Sequence, residues 1–404
     1  MAETVEVAIV GAGQAGLATS WYLKQAGVEH VVLEAGRVAE TWRSRRWDSF
    51  CLVTPNWSVQ LPGGAYAGAD PDGFMDRAEL VQHFQRWADS FDAPVKEGCP
   101  VTALQPNGDG FVLQVPSGTL SARSVVVASG GYQRAHRPPG ADLVPARVNQ
   151  LLAEEYTNVN ALADGAVLIV GSGQTGCQIA EELHEAGRKV FIACGRAPWA
   201  PRRMGGRDLV WWILETGFWN RTLAQLPSPA ARLLSNPLTT GHGGGHDLHY
   251  RTLHATGVEL RGRFLGADER KAYFADDLTQ SIEFGDNLAR SFMKWVGTLC
   301  EKRGLEVPWE VPAPMSITSR KELDIDGEGI TTVIWTTGFR PEYGWVNLPV
   351  FDEMGFPIQT DGRSEVPGLY FMGVHFQRKA QSAVLYGVGE DAEVVAGQIV
   401  ESSR

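Results

Sequence analysis

Three glycines spaced G-x-G-x-x-G occur twice in the chain, and this is the spacing at which a backbone can receive a dinucleotide phosphate. The first set is Gly11-Ala12-Gly13-Gln14-Ala15-Gly16 and the second Gly171-Ser172-Gly173-Gln174-Thr175-Gly176. In such a loop the first glycine permits a tight turn and the second lets the backbone approach a pyrophosphate at the positive end of a helix. The third allows helix and strand to pack closely. Glu34, which closes the first unit, can accept hydrogen bonds from a ribose diol. The second unit ends without a carboxylate and offers Arg196, with Arg202 and Arg203 close behind. Guanidinium groups pair bidentately with a 2′-phosphate that a carboxylate would repel, so this unit favours NADPH over NADH. The bland reading of the three arginines is a solvated loop cluster.

Three further groups of residues could carry chemistry. His242, His246 and His249 have i, i+4, i+7 spacing, which would align three metal ligands on a helix. Gly243, Gly244 and Gly245 between them argue against that helix, so a loop near NADPH or substrate is expected and no metal site. Trp211, Trp212, Phe218 and Trp219 could line an apolar channel, touch a membrane surface or form the face of a homodimer; packing of an apolar helix stripe is the commonest outcome. Cys51, Cys99, Cys177, Cys194 and Cys300 are irregularly spaced and contain no C-x-x-C pair. That disfavours zinc and a disulfide framework and fits a cytoplasmic protein.

The elements that must position the glycine loops are legible. Val5–Val10, broken only by Glu6, is a nearly continuous apolar run too short for a helix and reads as a buried parallel strand. A helix-compatible stretch runs from the loop to Gly27, and Val31-Val32-Leu33 forms the next strand. The same grammar returns in strand 166–170, helix 177–186 and strand 189–193. One unit ends in an acid and the other in arginines, which suggests FAD in the first, NADPH in the second and hydride passing between them.

With 404 residues, the chain has room for two or three domains. Its 36 basic and 47 acidic side chains give a net charge of -11, against a role in coating nucleic acid or an anionic membrane. The segment Met1–Val7 has two glutamates and no basic stretch, so no signal peptide is expected. The most membrane-like stretch, Leu209–Trp219, falls well short of the ~20 apolar residues a span needs.

Several strings, in this order, resemble the class B flavin monooxygenases, including members acting on amines, thioethers or indole-type acids. Glu40-Thr41-Trp42-Arg43 is similar to the segment that in the family runs beside the isoalloxazine, and Trp47–Leu61 with Thr54-Pro55 to the stretch after it. Val125–Gly131, with Ser129-Gly130, and Val333–Phe339, with Thr337-Gly338, resemble the linkers between the FAD and NADPH domains. Gly368–Gly373 resembles the final FAD strand, followed by Ser382–Gly389 and Asp391 at the start of a last helix aimed at the flavin pyrimidine. There its dipole would favour the anionic reduced flavin.

The resemblance implies an α/β fold of two Rossmann-like dinucleotide-binding domains. Residues 1–160 and 321–404 would make a discontinuous FAD domain and 161–320 an inserted NADPH domain, with a proline-spaced connector at Pro308–Pro314. It implies FAD contacts from Gly11, Gly13, Gln14, Ala15, Gly16, Glu34, Ala35, Thr41, Trp42, Arg43, Thr54, Val101, Ser129, Gly130, Gly373, Ser382 and Leu385. NADPH contacts would come from Gly171, Gly173, Gln174, Thr175, Gly176, Arg196, Arg202 and Arg203, with Thr337 and Gly338 at the second linker. The implied activity is oxygenation of a small organic substrate with NADPH and O2, with no side chain assigned as a general base. Two departures stand out: Leu152 occupies the place of the signature histidine, although Tyr156 is retained, and Val53 stands where some members have asparagine. The alternatives are an NADPH-dependent flavin reductase lacking the C-x-x-C relay, or a non-catalytic flavin-binding protein.

Overall fold

The computed structural model describes residues 3–234, 236–306, 313, 315 and 317–402. The connector Pro308–Pro314 thus lies, Ala313 apart, outside the described residues. Glu3–Val10 forms the first strand, and its inner residues Val7, Ala8 and Ile9 are completely buried. A strand apolar on both faces is stable only with neighbours on both edges and layers on both sides. It lies between His30–Leu33 and Gly118–Val127, both parallel to it. Leu369–Phe371 adds in parallel to the outer edge of Gly118–Val127, and Val95–Lys96 to that of His30–Leu33. An antiparallel hairpin, Ala103–Asn107 and Gly110–Val115, folds onto Gly118–Val127.

The second sheet repeats this plan in the middle of the chain. Its order is Glu259–Arg261, Val190–Ala193, Ala166–Val170, Ile330–Trp335, Asn149–Leu152, and every pairing is parallel. All five residues of Ala166–Val170 are buried. A small antiparallel sheet of Phe264–Ala267, Lys271–Phe274 and Glu322–Asp324 completes this half. The mixed α/β character expected from the sequence is therefore present.

The same mechanical solution appears at both glycine loops. Gly11 and Gly171 adopt φ of +109° and +107°, where a side chain is strained. A Cβ on Gly16 would stand 1.8 Å from the Gly11 carbonyl oxygen, and one on Gly176 would stand 2.1 Å from that of Gly171. These glycines let the helices Gln14–Gln25 and Gln174–Glu185 press against their strands. The chain crosses between the sheets twice, and the crossings pair: Arg134–Ala135 and Phe339–Arg340 form an antiparallel ladder. No helix among the described residues is long and apolar enough to cross a membrane.

Candidate functional site

Both loops end at the N-terminus of a helix whose first N–H groups are free. Gly13 and Gly173 are the N-caps, neither supplies a side-chain bond, and neither helix has an acid in its first turn. The orphan N–H groups and the dipole together attract an anion. A Cβ on Gly13 would meet nothing within 4 Å, so its backbone is open to an approaching group. In contrast, Gly11 and Gly16 are filled from behind, Gly11 by the Ala128 carbonyl at 2.6 Å from a Cβ position. This division between open and packed glycines fits a pyrophosphate.

At the first loop Glu34 is fixed by its neighbours. Its two oxygens accept hydrogen bonds from the backbone N–H of Ala12 (2.7 Å) and of Gly36 (2.9 Å). The half-buried carboxylate is thus aimed at the strand end, beside exposed Ala35. Gln14 reaches across to the other end of the chain, donating to the Ala383 carbonyl at 2.7 Å. Gly373, at φ +74°, packs on the same helix, its Cβ position 2.9 Å from that of Ala15. Ser382 is buried and accepts from the N–H groups of Arg378 and Lys379 at 3.1 and 3.0 Å, and buried Leu385 receives Gln60 N–H on its carbonyl. The last helix starts at Val388, so Ser382–Gly387 forms turns before it. Its first turn holds Glu390 and buried Asp391, paired with Arg378 at 3.4 Å.

The remaining first-unit candidates are more scattered. Thr41, Trp42 and Arg43 lie on the short helix Glu40–Ser44, with Thr41 exposed. Trp42 is half-buried under Arg46, 5.2 Å from its ring centre, while Arg43 turns inward to the Val38 carbonyl. Thr54 and Val101 are half-buried, Val101 against the core of the first sheet. Ser129 and Gly130 are exposed just past Gly118–Val127, and Gly130 has φ +88° with nothing near its Cβ position. Thr337 donates to the His136 carbonyl, tying the two linkers together beside exposed Gly338.

The second loop solves the absence of an acid differently. Ser172, which replaces Ala12, receives the Gly195 N–H on its hydroxyl at 2.9 Å and meets the Tyr250 hydroxyl at 2.6 Å. Tyr250 in turn donates to the Gly195 carbonyl at 2.6 Å. This clamp fixes the turn that presents Arg196, which is exposed and lies over Phe284. Gln174 and Thr239 exchange side-chain and backbone hydrogen bonds, and Thr175 is half-buried at the helix start.

Arg202 is a correction to the sequence reading. It is 1% exposed, its Nε and Nη2 donate to Asp208 at 2.9 and 2.6 Å, and its Nη1 donates to the Val53 carbonyl at 2.6 Å and to Thr239. Phe74 stacks 4.4 Å from the guanidinium. With its donors engaged, Arg202 has nothing to offer a ribose phosphate and instead joins Val53 and Phe74 to the middle of the chain. Arg203 donates to the carbonyls of Gly244 and Gly245 at 2.8 and 2.6 Å, which turns it toward the histidine loop. Of the three arginines, Arg196 is the one that stands exposed at the end of its strand with its guanidinium turned to Phe284 rather than to a backbone or carboxylate oxygen of the chain.

The histidines do not share a face. His242 sits in a short 3-10 turn 3.4 Å from Glu185, and His246 bonds Glu181 at 2.7 Å. His249 is buried on Trp199, ring centres 4.2 Å apart, and burial pushes its imidazole down to about 4. The loop therefore lies along the acidic flank of helix Gln174–Glu185, bordering a shallow cleft that also takes Trp47, Ser49, Cys51 and Glu182 into its wall. Burial raises the Cys51 thiol to about 11 and the Glu182 carboxyl above its ordinary range, where Ser49 and Tyr156 donate to it at 2.7 and 3.1 Å. Leu152, in place of the signature histidine, ends strand Asn149–Leu152. Trp212 and Trp219 are buried and Trp211 and Phe218 pack half-buried against the core, which is the apolar-stripe outcome.

Two sheets with parallel cores, each carrying a glycine loop that opens a helix and joined by paired linkers, make a frame suited to two dinucleotides. A family model described as pyridine nucleotide-disulphide oxidoreductase matches residues 8–213. An uncharacterized oxidoreductase described as CzcO-like, from Geobacillus kaustophilus (strain HTA426), is 30% identical over 403 residues, covering 99% of each chain. The chain belongs to the pyridine nucleotide-disulphide oxidoreductase family. An indole-3-pyruvate monooxygenase, YUCCA4 of Oryza sativa subsp. japonica, is 26% identical over 245 residues, 52% of this chain and 56% of that one. A solved flavin-containing monooxygenase from Stenotrophomonas maltophilia shares the fold with a TM-score of 0.68 at 21% identity, each chain covered completely. The resemblance to class B flavin monooxygenases drawn from the motif order is borne out by these likenesses.

Proposed function

We propose that the chain is an FAD-dependent, NADPH-using monooxygenase that places one atom of O2 in a small organic substrate and releases the other as water. The observation that carries this is the pair of glycine cradles, one closed by Glu34 and the other by Arg196, in sheets joined by paired linkers. When bound, FAD supplies two-electron transfer from NADPH and the activation of oxygen. The chain supplies the rest. Gly13 and the free N–H groups after it receive the FAD pyrophosphate, Glu34 takes the ribose, and Gln14 fixes the segment before the last helix against the glycine loop. At the second cradle Gly173 and Thr175 receive the NADPH pyrophosphate, Arg196 takes the 2′-phosphate, and Ser172 with Tyr250 holds the turn that presents it.

The domain plan belongs to the same proposal: an NADPH domain, about 161–320, inserted in an FAD domain made of 1–160 and 321–404. Its sheet borrows Asn149–Leu152 and Ile330–Trp335 from the flanks, so the change of domain falls within the linkers rather than at a sharp residue. A cytoplasmic setting is consistent with the wide, irregular cysteine spacing and the lack of a C-x-x-C pair.

The test is anaerobic reduction followed by oxygen. The purified chain should be yellow, NADPH should bleach it, and air should restore the colour while a trial amine, thioether or keto acid gains one oxygen atom from ¹⁸O2. Bleaching with all electrons recovered as hydrogen peroxide, whatever substrate is offered, would leave the reductase reading in its place. A yellow protein that NADPH cannot bleach would remove both.

A further inference from the structure

The turn that presents Arg196 is gripped from two sides. Along residues 194–200 every residue is buried except half-buried Gly195 and exposed Arg196. From one side Tyr250 donates to the Gly195 carbonyl at 2.6 Å. From the other comes the helix Leu278–Lys302, three consecutive residues of which reach this segment. Phe284 lies under Arg196, whose guanidinium carbon is 5.7 Å from the ring centre. Gly285 lets the two backbones close: a Cβ there would stand 2.8 Å from the Ala197 carbonyl oxygen and 3.1 Å from Trp199 Cδ1. Buried Asp286 accepts from the Trp199 indole N–H at 3.0 Å.

The two sides are joined to each other. Arg251, the residue after Tyr250, donates to both carboxylate oxygens of Asp286. The short helix Tyr250–Thr256 is thus tied to the Gly195 carbonyl and to the long helix at once. Undoing a buried aspartate that holds an indole and a guanidinium is costly. The place of Phe284 relative to Arg196 is therefore set by groups outside the pair. An exposed arginine gives up rotamer freedom when it binds a phosphate, and a ring beneath it removes part of that loss in advance. The ring attracts the cation through its quadrupole and takes none of its N–H donors, so the fork stays available to an anion. Arg202, by contrast, has given its donors to Asp208 and the Val53 carbonyl.

We infer that Phe284 is a specificity-determining residue for the nicotinamide nucleotide. It acts as a positioning residue: by holding the Arg196 guanidinium at the strand end, it raises the preference for a 2′-phosphate over a free 2′-hydroxyl. The inference rests on the reading that the second cradle takes NADPH with its 2′-phosphate at Arg196. Phe284 itself touches the arginine and not the nucleotide, so its influence must vanish when the arginine is absent.

The test titrates NADP+ and NAD+, which differ only in the 2′-phosphate and cannot reduce flavin, into the FAD-loaded full chain and reads affinity by calorimetry. Phe284→Leu should weaken NADP+ about two- to fivefold, the worth of an exposed cation–π contact, and leave NAD+ unchanged. Phe284→Tyr should restore the wild-type ratio. In an Arg196→Ala background, Phe284→Leu should change neither affinity. Undiminished NADP+ affinity in Phe284→Leu overturns the inference. So does an equal loss for both nucleotides, or a loss that persists without Arg196. If Phe284→Leu does not fold, Phe284→Met is judged by the same outcomes. Arg196→Ala separates the two levels of the argument. If it weakens NADP+ selectively while Phe284→Leu does nothing, the inference alone falls; if it leaves the NADP+ preference intact, the 2′-phosphate assignment falls and takes the inference with it.

Discussion

Arginines show how far residue type departs from residue role. Arg196, Arg202 and Arg203 fall within eight positions of one another, yet one is exposed at a strand end, one is locked in the interior and one holds a glycine loop. Arg196→Ala should therefore raise KM for NADPH by about tenfold or more, the value of one charge-assisted phosphate contact, while KM for NADH moves little; steady-state flavin reduction with each nucleotide checks it. Arg202→Met should act on stability instead. It strands Asp208 in a poorly hydrated place, at a cost of about 3–5 kcal/mol read from denaturant unfolding. The sequence made the guanidinium chemistry visible because the arginines follow a recognisable strand. Their sorting was invisible, because it is decided by Asp208, Val53 and Phe74, which the fold brings in from elsewhere. Tyr250 gave no local signal at all: its partners Ser172 and Gly195 are 78 and 55 residues away.

At the level of elements, strand, loop and helix were readable where periodicity and glycine act together. The runs Val7–Val10 and Ala166–Val170 are apolar on both faces, and the structure buries them on both faces. The histidine triplet was less tractable, since its spacing suits a helix that Gly243, at φ +57°, does not permit. The open glycine is the sharpest test of the cradle. Gly13→Val points a branched side chain at the space reserved for a pyrophosphate while touching no protein atom at its Cβ. The variant should fold, with wild-type Tm in the flavin-free state, and lose at least about tenfold in FAD affinity through blocked approach of the phosphate. Retention of full yellow colour would contradict the placement. Gly16→Ala should fail earlier, since its Cβ overlaps the Gly11 carbonyl.

Across the whole molecule, buried imidazoles set a direction for acid stability. Burial lowers His30 as well as His249, which stands at about 4. The unfolded chain binds these protons near pH 6.5 while the folded chain refuses them, so stability is complete above pH 6.5 and declines as pH falls toward 4. At about 1.4 kcal/mol per pH unit for each such group, His249 alone contributes on the order of 3 kcal/mol to that decline. Urea unfolding at pH 7 and pH 4.5 should show it, and His249→Phe should flatten the dependence.

The strand Ile330–Trp335 sits between Asn149–Leu152 and Ala166–Val170, with its partners synthesised some 160 residues before it. A chain leaving the ribosome thus carries an unfilled gap in its second sheet while about 160 further residues are made, with apolar strand edges unpaired meanwhile. Maturation must wait for almost the last fifth of the message, and any nascent fragment ending sooner is a client for chaperones rather than a smaller working enzyme.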